Sequence, residues 1–263
     1  MHRGAAHNTR LALVTGASSG IGEEFARQLA AKGYDLVLVA RGEEKLQELA
    51  AGLQSAHGIA VEVLSADLTD APAQLTVEGR LRSEPAIDLL VNSAGHGGFG
   101  NFAESDIDIE AGEVELNVIA LMRLTRAALP GMIARKRGGI INVSSMAGFF
   151  PGPNSATYNA TKTFVNSFTE SLYEELRGTG VRVQALCPGF TRSGFQERAR
   201  LEPSRIPEIA WLDPPEVVRE SLIALNHDVL FCIPGARYKA LGFAGSLLPR
   251  PILRRIAARN VQH

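Results

Sequence analysis

The sequence predicts an α/β fold: a doubly wound parallel sheet of about seven strands with helices on both faces. Two observations predict it. Short apolar runs recur along the chain with helical stretches between them, and near-continuous apolar strands that alternate with helices belong to parallel sheets covered on both sides. The residues able to do chemistry then fall at the carboxyl ends of those runs, where such sheets bind their ligands.

The first run, 11–14, leads into a turn holding Gly16, Gly20 and Gly22, and a helix over 20–32 follows. A strand at 36–39 precedes a helix over 43–56, and a third at 61–64 reaches Asp67 and Leu68 before a helix over 71–83. The fourth, 89–91, ends on Asn92, Ser93, Ala94 and Gly95 and leads to a long helix over 110–135. The fifth, 139–143, ends on Ser144 and Ser145 ahead of a helix over 155–177. The sixth, 181–186, meets Pro188 and Gly189, after which a helix over 215–226 and a last strand over 229–233 close the series. With no linker, internal repeat or low-complexity stretch, one domain is expected over 1–263.

Composition narrows the function classes. At 263 residues the chain builds a core without disulfide or metal staples. A net charge of −1, few aromatic residues and no Lys/Arg block in the first two hundred positions exclude a nucleic-acid footprint. Cys187 and Cys232 stand in apolar runs, so buried inert thiols are expected rather than a disulfide framework. The six histidines show no paired spacing, and no catalytic metal is expected. Residues 1–10 carry no apolar signal-type stretch, and no run approaches the roughly twenty apolar residues that span a bilayer. A cytoplasmic enzyme is the expectation.

The glycine turn supplies the cofactor end. Gly16, Gly20 and Gly22, with Ser18, Ser19 and Ile21 among them, join a strand to a helix start. Glycines let the backbone approach a pyrophosphate, and the helix end offers free N–H groups and a positive dipole. After the second strand, where NAD-binding folds carry an acidic residue for the adenosine ribose, this chain reads Val39-Ala40-Arg41. Without the carboxylate, and with Arg41 to grip a 2′-phosphate, NADP(H) is expected ahead of NAD(H). Asp67, beside Leu68, has two roles open to it: a hydrogen bond to the adenine amine, or the cap of the next helix. The small segment with Asn92, Ala94 and Gly95 suits an adenosine ribose lying against the backbone.

The chemistry sits further on. Tyr158 and Lys162 are four residues apart in a helical stretch, so phenol and ammonium share one face. A nearby cation favours phenolate and brings tyrosine proton exchange toward neutral pH. Ser145 lies thirteen residues before the tyrosine. Ser144 is the neighbouring alternative, but adjacent strand residues point to opposite faces, and the offset selects Ser145.

In this order these motifs resemble the short-chain dehydrogenase/reductase family, in its compact single-domain branch with the Tyr-x-x-x-Lys signature and a Rossmann-like sheet. The resemblance runs through Thr15 to Gly22, Asp67, Asn92 to Gly95, Asn117, Ile140 to Ser145, Tyr158, Lys162 and Pro188-Gly189. It implies that Ser145 hydrogen-bonds the substrate oxygen and Tyr158 transfers a proton. Lys162 would hold the nicotinamide ribose and lower the tyrosine pKa, while Asn117 anchors a water leading to solvent. Pro188, Gly189, Thr191 and Ser193 would line the nicotinamide side, with Ser193 in place of a commoner threonine. A homodimer or homotetramer is implied by resemblance alone.

The substrate end is less legible. Residues 191–212 correspond to a lid in this family, and His96, Phe149, Phe150, Phe195 and Trp211 are candidates to wall an apolar pocket or simply to pack. Arg198, Arg200 and Arg205 leave an acidic substrate open. Residues 237–263 hold six basic and no acidic side chains among apolar ones, a basic amphipathic end suited to docking on this chain or a second copy, or to touching a membrane surface. The expected activity is hydride transfer between NADP(H) and a ketone, aldehyde or 3-ketoacyl thioester. A non-catalytic NADP(H) sensor on the same fold is the alternative.

Overall fold

The structure, a computed structural model, describes residues 10–150, 152–195, 199, 206–246, 251–252 and 255. The strands are β1 (Leu11–Thr15), β2 (Asp35–Ala40), β3 (Val61–Ser65), β4 (Leu89–Asn92), β5 (Gly138–Val143), β6 (Val181–Leu186) and β7 (Phe231–Cys232). They form one sheet in the order β3-β2-β1-β4-β5-β6-β7, and all six pairings are parallel. The last strand spans two residues rather than the five read from the sequence, because it pairs with β6 only at Ala185 and Leu186.

Helices α1 (Gly20–Ala31), α2 (Glu43–His57), α3 (Ala71–Arg82), α4 (Ile107–Val114), α5 (Leu121–Ala134), α6 (Ala156–Glu175), α7 (Pro214–Asn226) and α8 (Ala236–Ser246) cover the two faces. Alternate strand residues feed two cores. Ala12, Val14, Leu36 and Leu38 pack with Phe25 and Leu29 of α1 and Val217 and Val218 of α7. Leu13, Val37 and Val39 meet Val77, Leu124 and Met132 on the other side. Near-continuous burial of β1, β2 and β4 is the physical origin of the unbroken apolar runs.

A π-helical stretch, Glu115–Ala120, joins α4 to α5, so one helix runs from 107 to 134. By length and composition this segment meets the requirement for crossing a membrane, with a mean hydropathy of 1.2 over its apolar window, 56% of which is buried. That corrects the reading that no run comes near such a span. Here the helix lies against α3 and α6 as a core element.

Buried polar side chains fix α6 on the sheet. Asn92 Nδ2 donates to Thr125 Oγ1 at 3.0 Å and to Asn142 Oδ1 at 2.9 Å, and Asn142 Nδ2 donates to Thr169 Oγ1 at 3.0 Å. Ser144 Oγ donates to Asn166 Oδ1 at 2.6 Å. Asn92 Oδ1 and Asn166 Nδ2 find no partner among the described residues, but the bonds that are made tie α5 and α6 to the sheet in one arrangement. The segment after β6 leaves the sheet and returns through a parallel bridge between Thr191 and Leu212. Arg198, Arg200, Arg205 and the basic end from 247, apart from 251–252 and 255, lie outside the described residues.

Candidate active site

The carboxyl ends of the strands surround a cavity of about 1000 Å³. At its cofactor end Gly16 takes a φ of +67°, a conformation that glycine reaches without strain. A Cβ at Gly16 would stand 2.9 Å from Ala94 Cα, and one at Gly22 would stand 2.3 Å from the Gly16 carbonyl oxygen. Thr15 Oγ1 accepts from Ser93 N and Ala94 N, both at 3.0 Å, which stitches the turn to the end of β4. Ser19 caps α1 without a side-chain hydrogen bond, leaving the first N–H groups of the helix free for an anion.

Ser18, Ser19, Ile21, Leu68, Ala94 and Gly95 line the cavity as the sequence predicts. Asn92 does not: its side chain is 3% exposed and bonded to Thr125 and Asn142, so it braces the sheet and Ser93 takes its place on the wall. Arg41 stands at the rim with Lys45, a second cation missed in the sequence although it lies four residues on. The Arg41 Nη1 is 3.9 Å from Asp67 Oδ2. Asp67 Oδ1 meanwhile accepts from Thr69 N at 2.9 Å and Thr69 Oγ1 at 2.7 Å. Burial raises the Asp67 carboxyl, but the Thr69 bonds and the Arg41 charge outweigh it and hold the group below its ordinary value. Asp70, not Asp67, caps α3 by accepting from Ala73 N.

At the other end Pro188, Gly189, Thr191 and Ser193 line the cavity. Gly189 lies on the Tyr238 ring, where a Cβ would stand 1.9 Å from Cζ. The Tyr238 hydroxyl accepts from Phe190 N at 3.1 Å and donates to Ala210 O at 2.7 Å, joining both arms of the 190–212 excursion to α8. Nothing in the local sequence marked this tyrosine; its role depends on chain segments that meet only in the fold.

Ser145, Tyr158 and Lys162 converge on the same cavity. Ser145 is extended, its Oγ accepts from Ala147 N at 3.1 Å, and its hydroxyl acts to lower the neighbouring Tyr158 phenol. Ser144 turns away to α6, as strand alternation requires. Burial pushes the phenol up to about 12; Ser145 opposes the rise and the Glu113 charge adds to it. The sequence-based expectation of a phenol lowered by Lys162 is therefore corrected. Lys162 Nζ lies 5.7 Å from the ring centroid and donates to Val143 O at 2.9 Å. Burial lowers Lys162 to about 8, with the Glu113 and Cys187 charges acting against it.

Asn117 lies in the π-helical stretch, 1% exposed. Its Oδ1 accepts from His96 N at 3.1 Å and its Nδ2 donates to His96 O at 2.8 Å. The amide thus clamps a backbone segment behind the cavity, rather than reaching Lys162 directly.

The pocket aromatics divide. His96, Phe150 and Phe195 line the cavity, and the Phe195 ring lies 5.5 Å from that of Tyr158. Trp211 does not; it packs on Phe190 and under Arg192. Phe149 likewise leaves the pocket, for an edge contact with Phe231. Both cysteines are buried and free, with burial raising Cys187 strongly and Cys232 to about 12.

The family model for short chain dehydrogenases matches residues 10–203. The fold superposes on a short-chain dehydrogenase from Sphingobium yanoikuyae in complex with NADPH, with a TM-score of 0.83 and 38% identity over 90% of this chain and 94% of that one. It also superposes on a bulky-bulky ketone specific alcohol dehydrogenase from Comamonas testosteroni, with a TM-score of 0.80 and 34% identity over 92% and 96% of the two chains. A very-long-chain 3-oxoacyl-CoA reductase of Pyrenophora tritici-repentis is 39% identical over 180 residues, 66% of this chain but 53% of that protein, so the chain spans about half the length of that relative. The chain belongs to the short chain dehydrogenase family, and it is an oxidoreductase of that family acting on carbonyl or alcohol groups.

Proposed function

We propose that the chain is an NADP(H)-dependent reductase of bulky ketones, aldehydes or 3-ketoacyl thioesters, with Tyr158 as proton donor. The observation that carries the reading is the convergence of Ser145, Tyr158 and Lys162 on one cavity at the carboxyl ends of the strands. Two hydroxyls already together are donors in place for a carbonyl oxygen as negative charge grows on it. A nicotinamide supplies the hydride when bound. A phenol raised to about 12 keeps its proton at neutral pH, which fits it to give that proton in the reducing direction. Lys162, at about 8, remains a cation there.

The residues also favour NADP(H). The Gly16 turn and the open start of α1 suit a pyrophosphate, and Arg41 with Lys45 at the rim suits a further phosphate. Phe150, Phe195, Met146 and Leu241 on the wall support an apolar substrate, in keeping with the acyl and bulky-ketone relatives. A homodimer or homotetramer in the cytoplasm belongs to the same reading, and exposed Phe102 and Phe164 on one groove support the oligomer. A sensor on this fold would have no use for a paired Ser145 and Tyr158.

The test is oxidation of NADPH and NADH against bulky ketones, steroid ketones and ketoacyl thioesters. Turnover of an apolar carbonyl with NADPH ahead of NADH is expected; tight NADPH binding without turnover across the panel would contradict the reading and favour a sensor.

A further inference from the structure

The helix carrying α4 sends two side chains, one turn apart, to a single loop. Glu113 Oε2 accepts from Gly98 N at 3.0 Å, while Asn117 clamps His96 through its backbone N–H and carbonyl. Between these anchors Gly97 lies on the Tyr158 ring, where a Cβ would stand 2.6 Å from Cδ2. A carboxyl group therefore fixes, from behind, the backbone on which the phenol rests. Glu113 is 1% exposed, and its Oε1 finds no hydrogen-bond partner among the described residues. A bare carboxyl oxygen in the interior is unfavourable, and an aliphatic side chain would fill the space without that penalty.

We propose that Glu113 is a positioning residue of the active site: it seats the Gly98 amide so that Gly97 backs the Tyr158 ring, and its charge sets the pH range over which Tyr158 and Lys162 work. This rests on the reductase reading above. The titratable groups coupled to it are Glu110 one turn earlier on its own helix, and Tyr158 and Lys162 from α6. Burial lifts Glu113 to about 7; the Gly98 amide and the Lys162 ammonium oppose the rise, and Glu110 adds to it. In return, the Glu113 charge raises both Tyr158 and Lys162. Above neutrality its anion thus favours the protonated phenol and the ammonium, the forms that reduction uses.

Glu113→Gln keeps the size and an acceptor for Gly98 but removes the charge. The alkaline limb of carbonyl reduction is expected to move to lower pH by on the order of one unit, with KM for the carbonyl little changed. A profile superimposable on wild type would overturn the proposal. Infrared difference spectra, wild type against E113Q, test the same group without turnover. They should show a protonated carboxyl stretch that fades as pH rises through about 7; a group already ionised at about pH 5, near the ordinary carboxylate value, would also overturn it. Absence of any carbonyl reduction would count against the reductase reading, while the infrared titration would still decide the state of Glu113.

Discussion

Lys162 and Tyr158 share one wall of the cavity, and the ammonium is tied to the sheet: Nζ lies 5.7 Å from the ring centroid and donates to the Val143 carbonyl. Helical spacing brings the two residues to one face, but β5 claims the ammonium. Burial then controls the phenol, which holds its proton, and the Ser145 hydroxyl acts against the rise.

Gly97 is the second support of that phenol. A methyl group there would meet Tyr158 Cδ2 at 2.6 Å and Phe195 Cζ at 3.1 Å. Gly97→Ala is expected to displace the ring and lower kcat by roughly ten- to a hundredfold, since misplacement of about an ångström has effects of that size. Steady-state kinetics with an NADPH titration check it, and NADPH affinity should stay near wild type.

The cofactor preference turns on the rim. Arg41→Asp replaces a cation with a charge that repels a 2′-phosphate, and NADPH should lose roughly ten- to a hundredfold against NADH in kcat/KM. An unchanged ratio would remove Arg41 from the cofactor site.

Tyr238→Phe keeps the ring on Gly189 but deletes the hydrogen bonds to Phe190 N and Ala210 O. Both arms at the base of the 190–212 excursion then lose their tie to α8. KM for the carbonyl should rise several-fold with a smaller change in kcat, and limited proteolysis should cut faster in this region. Equal cleavage rates would show that the tie is dispensable.

Glu113 also leaves a signature in stability. Its folded pKa of about 7 lies above the ordinary 4.5, so its contribution is full below 4.5 and is lost as pH rises through 7. Glu113→Gln lacks this dependence. The variant should gain on wild type between about pH 5 and pH 8, by a few kcal/mol at most, read as a melting-point difference that grows with pH.

Much of this was legible in the sequence because it is local. The strands show as apolar runs since both faces are buried, and the glycine turn, Ser145, Tyr158 and Lys162 follow from short spacings. What escaped depends on distant segments meeting. Glu113 looks like any helical glutamate until the Gly98 loop covers it. Tyr238 gains its place only when α8 crosses Gly189. Trp211 and Phe149 read as pocket aromatics because composition alone does not say which way a loop residue turns. Asn92 was read for its position at a strand end, but the inward face of β4 carries its side chain to Thr125 and Asn142.

The central claim is that Tyr158 delivers the proton, and Tyr158→Phe tests it most directly. The variant keeps the ring packed on Gly97 and Phe195 and loses only the hydroxyl. With a carbonyl substrate that wild type reduces, we expect turnover to fall by roughly 10²- to 10⁴-fold while NADPH binds as it does to wild type. Turnover retained within about tenfold, with NADPH still bound, would contradict the account.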